Sequence, residues 1–273
     1  MYSAKPGGFI KLAQNIIYRN PPLIVVRIVS LAPSNTEILY ALGAQDQLAG
    51  VTRYCDYPAE ARAKPIVSGW SDVDVKKIAA LKPDLVLTSS IVQANAAKTL
   101  RQEGLPVIHL DPKSLEDVFE TFLKIGHAVN AGTKARELII NTDKKLAAIV
   151  QQNTVKGKRI YVEEWHKPPT AAANWVPDLL KLLGCEAVTR SGIPSHEITT
   201  EQITQFNPDA IVLSWCGFGT SATANQLLER DGWQELNAIK NNSVFVIDDS
   251  FLNRPGPRLV EGLRVLAEIA KRC

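Results

Sequence analysis

Short apolar strands alternate with helices along this chain, and the alternation occurs in two separate blocks. Ile24–Leu31 is a β-branched run closed by a Pro-Ser-Asn cluster, the pattern of a buried strand that feeds a helix. Ser34 with Glu37 three residues on reads as a capping box, and Gly43 ends the helix. Then come a strand around Leu48–Val51, the loop Thr52–Pro58, a helix at about Val73–Leu81 and a strand at Asp84–Leu87. A helix near Asn95–Glu103 and a strand at Pro106–Leu110 close the first block. Strands that alternate with helices in this way predict a parallel sheet wrapped by helices.

Ser114–Thr154 has helical periodicity throughout, broken at Asn130-Ala131-Gly132. Its second part alone would be about 30 Å long at 1.5 Å per residue, a stiff connector. The second block repeats the first: a strand at Arg159–Val162, a helix at Trp175–Leu183, strands at Ala210–Leu213 and Ser243–Ile247, and a helix at Pro257–Lys271. An internal echo joins the two. Ile78 to Leu87 and Ile203 to Val212 share apolar positions around a Pro-Asp turn, at Pro83-Asp84 and Pro208-Asp209. The expected fold class is therefore α/β, with two Rossmann-like lobes. Residues 1–26 form an N-terminal extension, 27–132 the first lobe, 133–154 a connecting helix and 155–273 the second lobe.

With 31 Lys+Arg against 28 Asp+Glu and 45% hydrophobic residues, the chain has the balance of an ordinary globular protein. No basic block interleaved with aromatics argues for nucleic acid. The apolar run Leu23–Val29 is interrupted by Arg27 and is too short to span a bilayer. It also lacks the pattern of a secretory signal. The expected location is periplasmic or extracytoplasmic if an export segment precedes these residues, and cytoplasmic if the sequence is complete. Cys55, Cys185, Cys216 and Cys273 have no Cys-x-x-Cys spacing, and His109, His127, His166 and His196 have no ligand spacing. Phosphate-loop, dinucleotide and nucleophile-elbow motifs are absent. Catalysis has no foothold, and neither an intrinsic cofactor nor a resident metal is expected.

The aromatic residues fall where strands end. Tyr54 and Tyr57 follow the second strand, and Trp70 sits between Gly69 and Ser71. Trp165 follows the strand ending at Val162, Trp215 and Phe218 the one ending at Leu213, and Phe251 the one ending at Ile247. Carboxyl ends of strands form the ligand edge of open α/β sheets. Rings there either cap each lobe's own core or face a large, flat, partly apolar ligand. Gly217 and Gly219 either let backbone approach that ligand or shape a turn. Arg254 precedes a rigid Pro-Gly-Pro turn and can meet an anionic or polar rim.

These residues carry a resemblance. Arg27-Ile28-Val29-Ser30-Leu31-Ala32-Pro33-Ser34-Asn35-Thr36-Glu37, Tyr54-Cys55-Asp56-Tyr57-Pro58, Ser68-Gly69-Trp70 and Arg254-Pro255-Gly256-Pro257-Arg258 are its markers. Over about residues 27–271 the chain resembles the cobalamin and iron-siderophore substrate-binding proteins of ABC importers, and looks most like the vitamin B12-binding branch. The resemblance implies two α/β lobes joined by a helical backbone, with the ligand in the cleft between them. It implies cleft roles for Tyr57, Trp70 and Phe251, with Trp165 nearby. It also implies an ABC permease partner met through one surface glutamate per lobe. Glu201 matches the second-lobe position; Lys76 occupies the first-lobe position, with Asp74 two residues earlier.

The leading expectation is a monomeric, non-enzymatic binder of a corrinoid or similar metal chelate that delivers it to an ABC importer without entering the membrane. Tyr57, Trp70, Trp165, Trp215, Phe218, Phe251 and Arg254 would contact the ligand, and Glu201 and Asp74 the permease. His166 and Cys55 have the chemistry to reach the metal directly. Lys76 and the missing signal keep open an intracellular sensor, carrier or enzyme for a tetrapyrrole or metal chelate. A siderophore binder is the third reading, with Arg53, Arg254 and Lys167 as its cations.

Overall fold

β1 (Ile28–Ser30) is fully buried, as its β-branched composition requires, and leads directly into α1 (Pro33–Ala41). The computed structural model describes residues 8–10, 12, 27–153 and 155–273. The expected strand positions Ile24–Val26, most of the 1–26 extension, and Thr154 lie outside them. Among the described residues the chain divides into two compact units. One holds residues 10, 12, 27–112 and 119–141; the other holds residues 8–9, 113–118, 142–153 and 155–273.

In the first unit β1 is followed by α1, β2 (Leu48–Thr52), β3 (Ile66–Ser68), α2 (Val75–Ala80), β4 (Leu85–Ser89), α3 (Ala94–Gln102) and β5 (Val107–Leu110). The strands form a five-stranded sheet in the order β3-β2-β1-β4-β5. Every pairing is parallel, so all carboxyl ends share one edge. Val29, Leu31, Val67, Ile78, Val86 and Leu100 form a core cluster of this unit. The expected capping box does not form. Pro33 takes the first helical position, which its fixed φ suits, and Ala32 the cap, whose methyl side chain has no acceptor for a cap bond. Ser34 and Glu37 are buried instead. Strand β3 was not expected; three residues between Pro65 and Gly69 are too few to show a period.

α4 (Leu115–Ala128) and α5 (Gly132–Gln151) match the expected helical stretch, and the break falls at Asn130, whose φ is +56°. The division between units passes through both helices.

The second unit continues with β6 (Arg159–His166), β7 (Pro169–Ala171), α6 (Val176–Leu182), β8 (Glu186–Ala187), β9 (His196–Glu197), α7 (Thr200–Phe206) and β10 (Ala210–Leu213). Then follow α8 (Asn225–Leu228), α9 (Asn237–Lys240), β11 (Val244–Val246) and α10 (Leu259–Arg272). Its six-stranded sheet runs β11-β10-β6-β7-β9, with β8 also on β6. The parallel sheet expected from the alternation forms the body of this unit, with an antiparallel edge added. β11, β10, β6 and β8 are parallel, but β6 reverses into antiparallel β7, and β7 into antiparallel β9. β6 therefore runs to His166 and not to Val162, which puts Trp165 on a strand.

The sequence echo is a structural repeat. Asp84 Oδ2 accepts from the Arg27 backbone N–H (3.0 Å), and the Arg27 guanidinium donates to the Leu81 carbonyl (2.9 Å). Asp209 Oδ2 accepts from the Arg159 N–H (2.8 Å), and Arg159 donates to the Phe206 carbonyl (2.9 Å). Lys82 and Asn207, at the same place in each turn, both have positive φ. Each aspartate thus locks the end of a helix to the start of its unit's central strand.

Candidate functional site

At the carboxyl edge of the first sheet, Tyr54 and Tyr57 follow β2 and are 46% and 48% exposed. Trp70, half-buried, follows β3. Gln93, with no exposed surface, donates to the carbonyls of Leu31 (2.7 Å) and Trp70 (2.8 Å) and accepts from Ser89 N–H (2.8 Å). That single amide ties the Trp70 turn to the segment after β4. A Cβ on Gly69 would fall 1.8 Å from Asp72 Oδ1, so a side chain there requires the Asp72 carboxylate to swing aside. Asp72 in turn pairs with Arg53 at 3.0 Å. Ile91 and Val92, 62% and 54% exposed, follow β4 at the same edge. Sequence reasoning passed over them by following rings; adjacent apolar residues just beyond a strand end were the available signal. Cys55 does not reach any ligand: it is 2% exposed and its Sγ lies 3.1 and 3.3 Å from the Thr36 and Thr52 hydroxyls.

The second unit carries a ring cluster at the carboxyl ends of β6 and β10. Trp165, 38% exposed, contacts His166 (centroids 5.0 Å) and Phe218 (5.8 Å, edge-on). His166 contacts Trp215 (4.8 Å) and Phe218 (5.1 Å). Trp215 closes the set against Phe218 at 5.5 Å. Trp215 has no exposed surface. Its place as a ligand contact is corrected to support from beneath, because its indole N–H donates into the core, to Glu163 Oε1 at 2.9 Å. His166 Nδ1 is buried without a hydrogen-bond partner. Phe251 lies apart against Arg258, whose guanidinium is 5.7 Å from the ring centroid, and Arg254 is half-buried in the following turn.

Phe218 is held by its loop. Asp249 accepts from Gly217 N–H (2.9 Å) and Gly219 N–H (2.8 Å). The two glycines have φ of +80° and +54°, with open space where a Cβ would sit. The left-handed backbone of the turn, not close approach by a neighbour, is what favours glycine there.

Glu163 and Glu164 separate completely. Glu163 is fully buried and paired with Arg230, while Glu164 is the extra residue of a bulge between β6 and β7. Such a bulge re-aims a side chain. Glu164 accepts from Ser195 Oγ at 2.5 Å, with Cys216 Sγ 3.9 Å away. Burial raises its carboxyl above the ordinary range; the Ser195 and Cys216 contacts and the Lys113 charge oppose the shift without cancelling it. Desolvation, then the Glu164 and Asp249 carboxylates, pushes the Cys216 thiol up. The native state thus holds the Glu164 proton more tightly than the unfolded chain does. Its stabilising effect is complete below the ordinary value of 4.5 and declines as pH rises through the raised value. Glu164→Gln keeps an acceptor for Ser195 and removes the titration. The variant's thermal midpoint should gain on wild type as pH rises from 4.5 through the raised value and level off above it. A constant difference across pH 4 to 8 contradicts the assignment.

Glu201 is exposed in the first turn of α7, behind a capping box of Thr199 and Gln202. Backbone N–H and the Thr199 hydroxyl lower its carboxyl. The repeat that aligns Ile78 with Ile203 places Lys76 opposite Glu201 and Asp74 opposite Thr199. Asp74 is accordingly a helix cap, accepting from Lys77 N–H at 3.0 Å.

Among the described residues no helix is long and apolar enough to cross a membrane, and no group of three or more His, Cys, Asp or Glu is placed to hold a metal ion. Comparison with known proteins gives three findings. The family profile described as "Periplasmic binding protein" matches residues 28–251. The uncharacterized ABC transporter substrate-binding lipoprotein YvrC of Bacillus subtilis is 35% identical over 253 residues, covering 89% of this chain and 79% of its own length. Two solved structures share the fold. A possible iron-binding (periplasmic solute-binding) protein of Staphylococcus epidermidis has a TM-score of 0.77 at 28% identity, over 90% of this chain and 99% of that one. The periplasmic vitamin B12-binding protein BtuF of Vibrio cholerae has a TM-score of 0.72 at 26% identity, over 92% and 100%.

Proposed function

This chain belongs to the periplasmic-binding-protein family, and on that footing we propose that it is the substrate-binding component of an ABC importer whose ligand is a corrinoid or a similarly flat metal chelate. The observation that carries the reading is the placement of rings at the carboxyl edge of each sheet: Tyr57 and Trp70 in one unit, Trp165 and Phe218 in the other. Large apolar rings left partly exposed at a ligand edge favour a broad, partly apolar partner. The ABC transporter and vitamin B12 relatives support the same reading, and with it an extracytoplasmic location. The iron-binding neighbour keeps the wider class of metal chelates in view.

The charge balance favours a ligand without many anionic groups. Arg53 is paired with Asp72 and Arg230 with Glu163, while Glu164 and Asp249 line the end of the second sheet. Of the three cations named for a siderophore, Arg53 is thus already paired, which ranks that reading below a corrinoid. Lys76 opposite Glu201 favours a second reading, a chelate-binding protein whose partner does not recognise a carboxylate on both units.

The test is titration with cyanocobalamin, hemin and a ferric siderophore, followed by tryptophan fluorescence and visible absorbance. Cyanocobalamin should quench and bind most tightly; silence from every chelate at tens of micromolar overturns the reading. Trp165→Ala and Trp70→Ala should each weaken binding by about 1–3 kcal/mol. Unchanged affinity in both removes the rings from the site.

A further inference from the structure

The ring cluster of the second unit hangs from one buried ion pair. Glu163, with a fully buried side chain, receives both arms of the Arg230 guanidinium at 2.6 and 2.8 Å. It also accepts from Tyr161 O–H (2.7 Å) and Trp215 Nε1–H (2.9 Å). Arg230 donates a further bond to the His166 carbonyl (3.1 Å) and lies 4.5 Å over the Trp233 ring. Each polar arm of the pair therefore ends on a residue that builds or underlies the cluster.

Buried ion pairs contribute little net stability compared with well-packed apolar residues, because desolvation offsets their attraction. Their geometry is another matter. A planar two-pronged fork fixes the relative orientation of its two side chains. We propose that the Glu163–Arg230 pair is a positioning device that sets Trp215 from below and the His166 backbone from the side, and through them the orientation of Trp165. Arg230 lies 67 residues from Glu163 in sequence, so the device joins the end of β6 to the segment after α8. Its effect on affinity rests on the chelate reading above; its effect on ring order does not.

The variant that isolates this role is Glu163→Gln combined with Arg230→Met. With its oxygen in the Oε1 place the glutamine still accepts from Trp215, and its amide N–H donates to the Tyr161 hydroxyl oxygen in the Oε2 place, so no buried charge is stranded. Far-UV circular dichroism should match wild type, while the near-UV tryptophan signal of the unliganded protein falls. Cyanocobalamin Kd should rise roughly tenfold, the scale on which outer-layer supports act. In a Trp165→Ala background the same pair of changes should cost under about twofold, because coupled residues are not additive. An equal loss in both backgrounds, or an unaltered near-UV signal, overturns the proposal. Should the double variant not fold, Arg230→Lys, which keeps the charge without the fork, must show the same near-UV loss for the proposal to stand. A wild type that binds no chelate refutes the ligand reading, yet the near-UV comparison still decides this one.

Discussion

Glu163→Ala should destabilise the unit that contains it by about 3–5 kcal/mol, the cost of breaking a buried ion pair by removing one partner. The mechanism has several parts. The Arg230 guanidinium, 15% exposed at its side chain, keeps its charge but loses the carboxylate on its fork. Trp215 Nε1 and Tyr161 O–H lose their acceptor in a region with no exposed surface. Burial, the largest cause of the raised Tyr161 phenol in the native protein, persists in the variant and opposes its ionisation beside Arg230. Urea unfolding of the intact chain, followed by tryptophan emission, measures the loss. A change below about 1 kcal/mol shows that Arg230 escapes to water and that the pair is not a structural centre. The contrast with the double variant is informative: there both partners change together and stability is largely kept.

Gly262→Val should cost about 2–3 kcal/mol and should also weaken ligand binding, although Gly262 lies on α10 and makes no contact with the rings. A Cβ at this position would lie 2.5 Å from the Phe251 carbonyl oxygen and 2.7 Å from Leu252 Cδ2. The first of these is backbone, so rotation of a side chain cannot relieve it, and overpacking of this kind displaces the facing segment. That segment is the turn carrying Asp249 and Phe251. Asp249 holds both amides of the Gly217–Gly219 loop, so displacement of the turn moves Phe218. Stability and affinity should therefore fall together, which calorimetric unfolding and cyanocobalamin titration of the same sample measure. Full stability in the variant shows that α10 and the turn separate easily. Lost stability with unchanged affinity shows that the clamp does not transmit the shift.

The architecture was legible because its signals are local. Buried strands of the repeat announce themselves as β-branched runs, and the Pro-Asp turns at Asp84 and Asp209 recur with the same hydrogen bonds. The ring-bearing strand ends were legible for the same reason: a parallel sheet puts every carboxyl end on one edge. Strands β3, β7, β8 and β9 were not, since two or three residues carry no period and their pairing depends on partners elsewhere in the chain. The capping box at Ser34 and Glu37 failed because burial and Pro33 prevailed over a local motif.

Within the site the same boundary holds. The order of residues was enough to place Trp165 and Phe218 beyond strands, while the strand before Trp70 carried no period and the correspondence of Lys76 with Glu201 came with the family resemblance. It said nothing of Arg230, which sits in an ordinary charged stretch, and it treated Glu163 and Glu164 as one acidic pair. Composition and periodicity decide which residues are buried and which segments extend, because they act through backbone propensity and hydrophobic patterning. Which buried carboxylate meets an arginine 67 positions away, and which indole is withdrawn beneath another, was decided only when the chain closed on itself. Long-range polar pairing follows from the position and orientation of side chains in space, and neighbouring residues along the chain do not specify either.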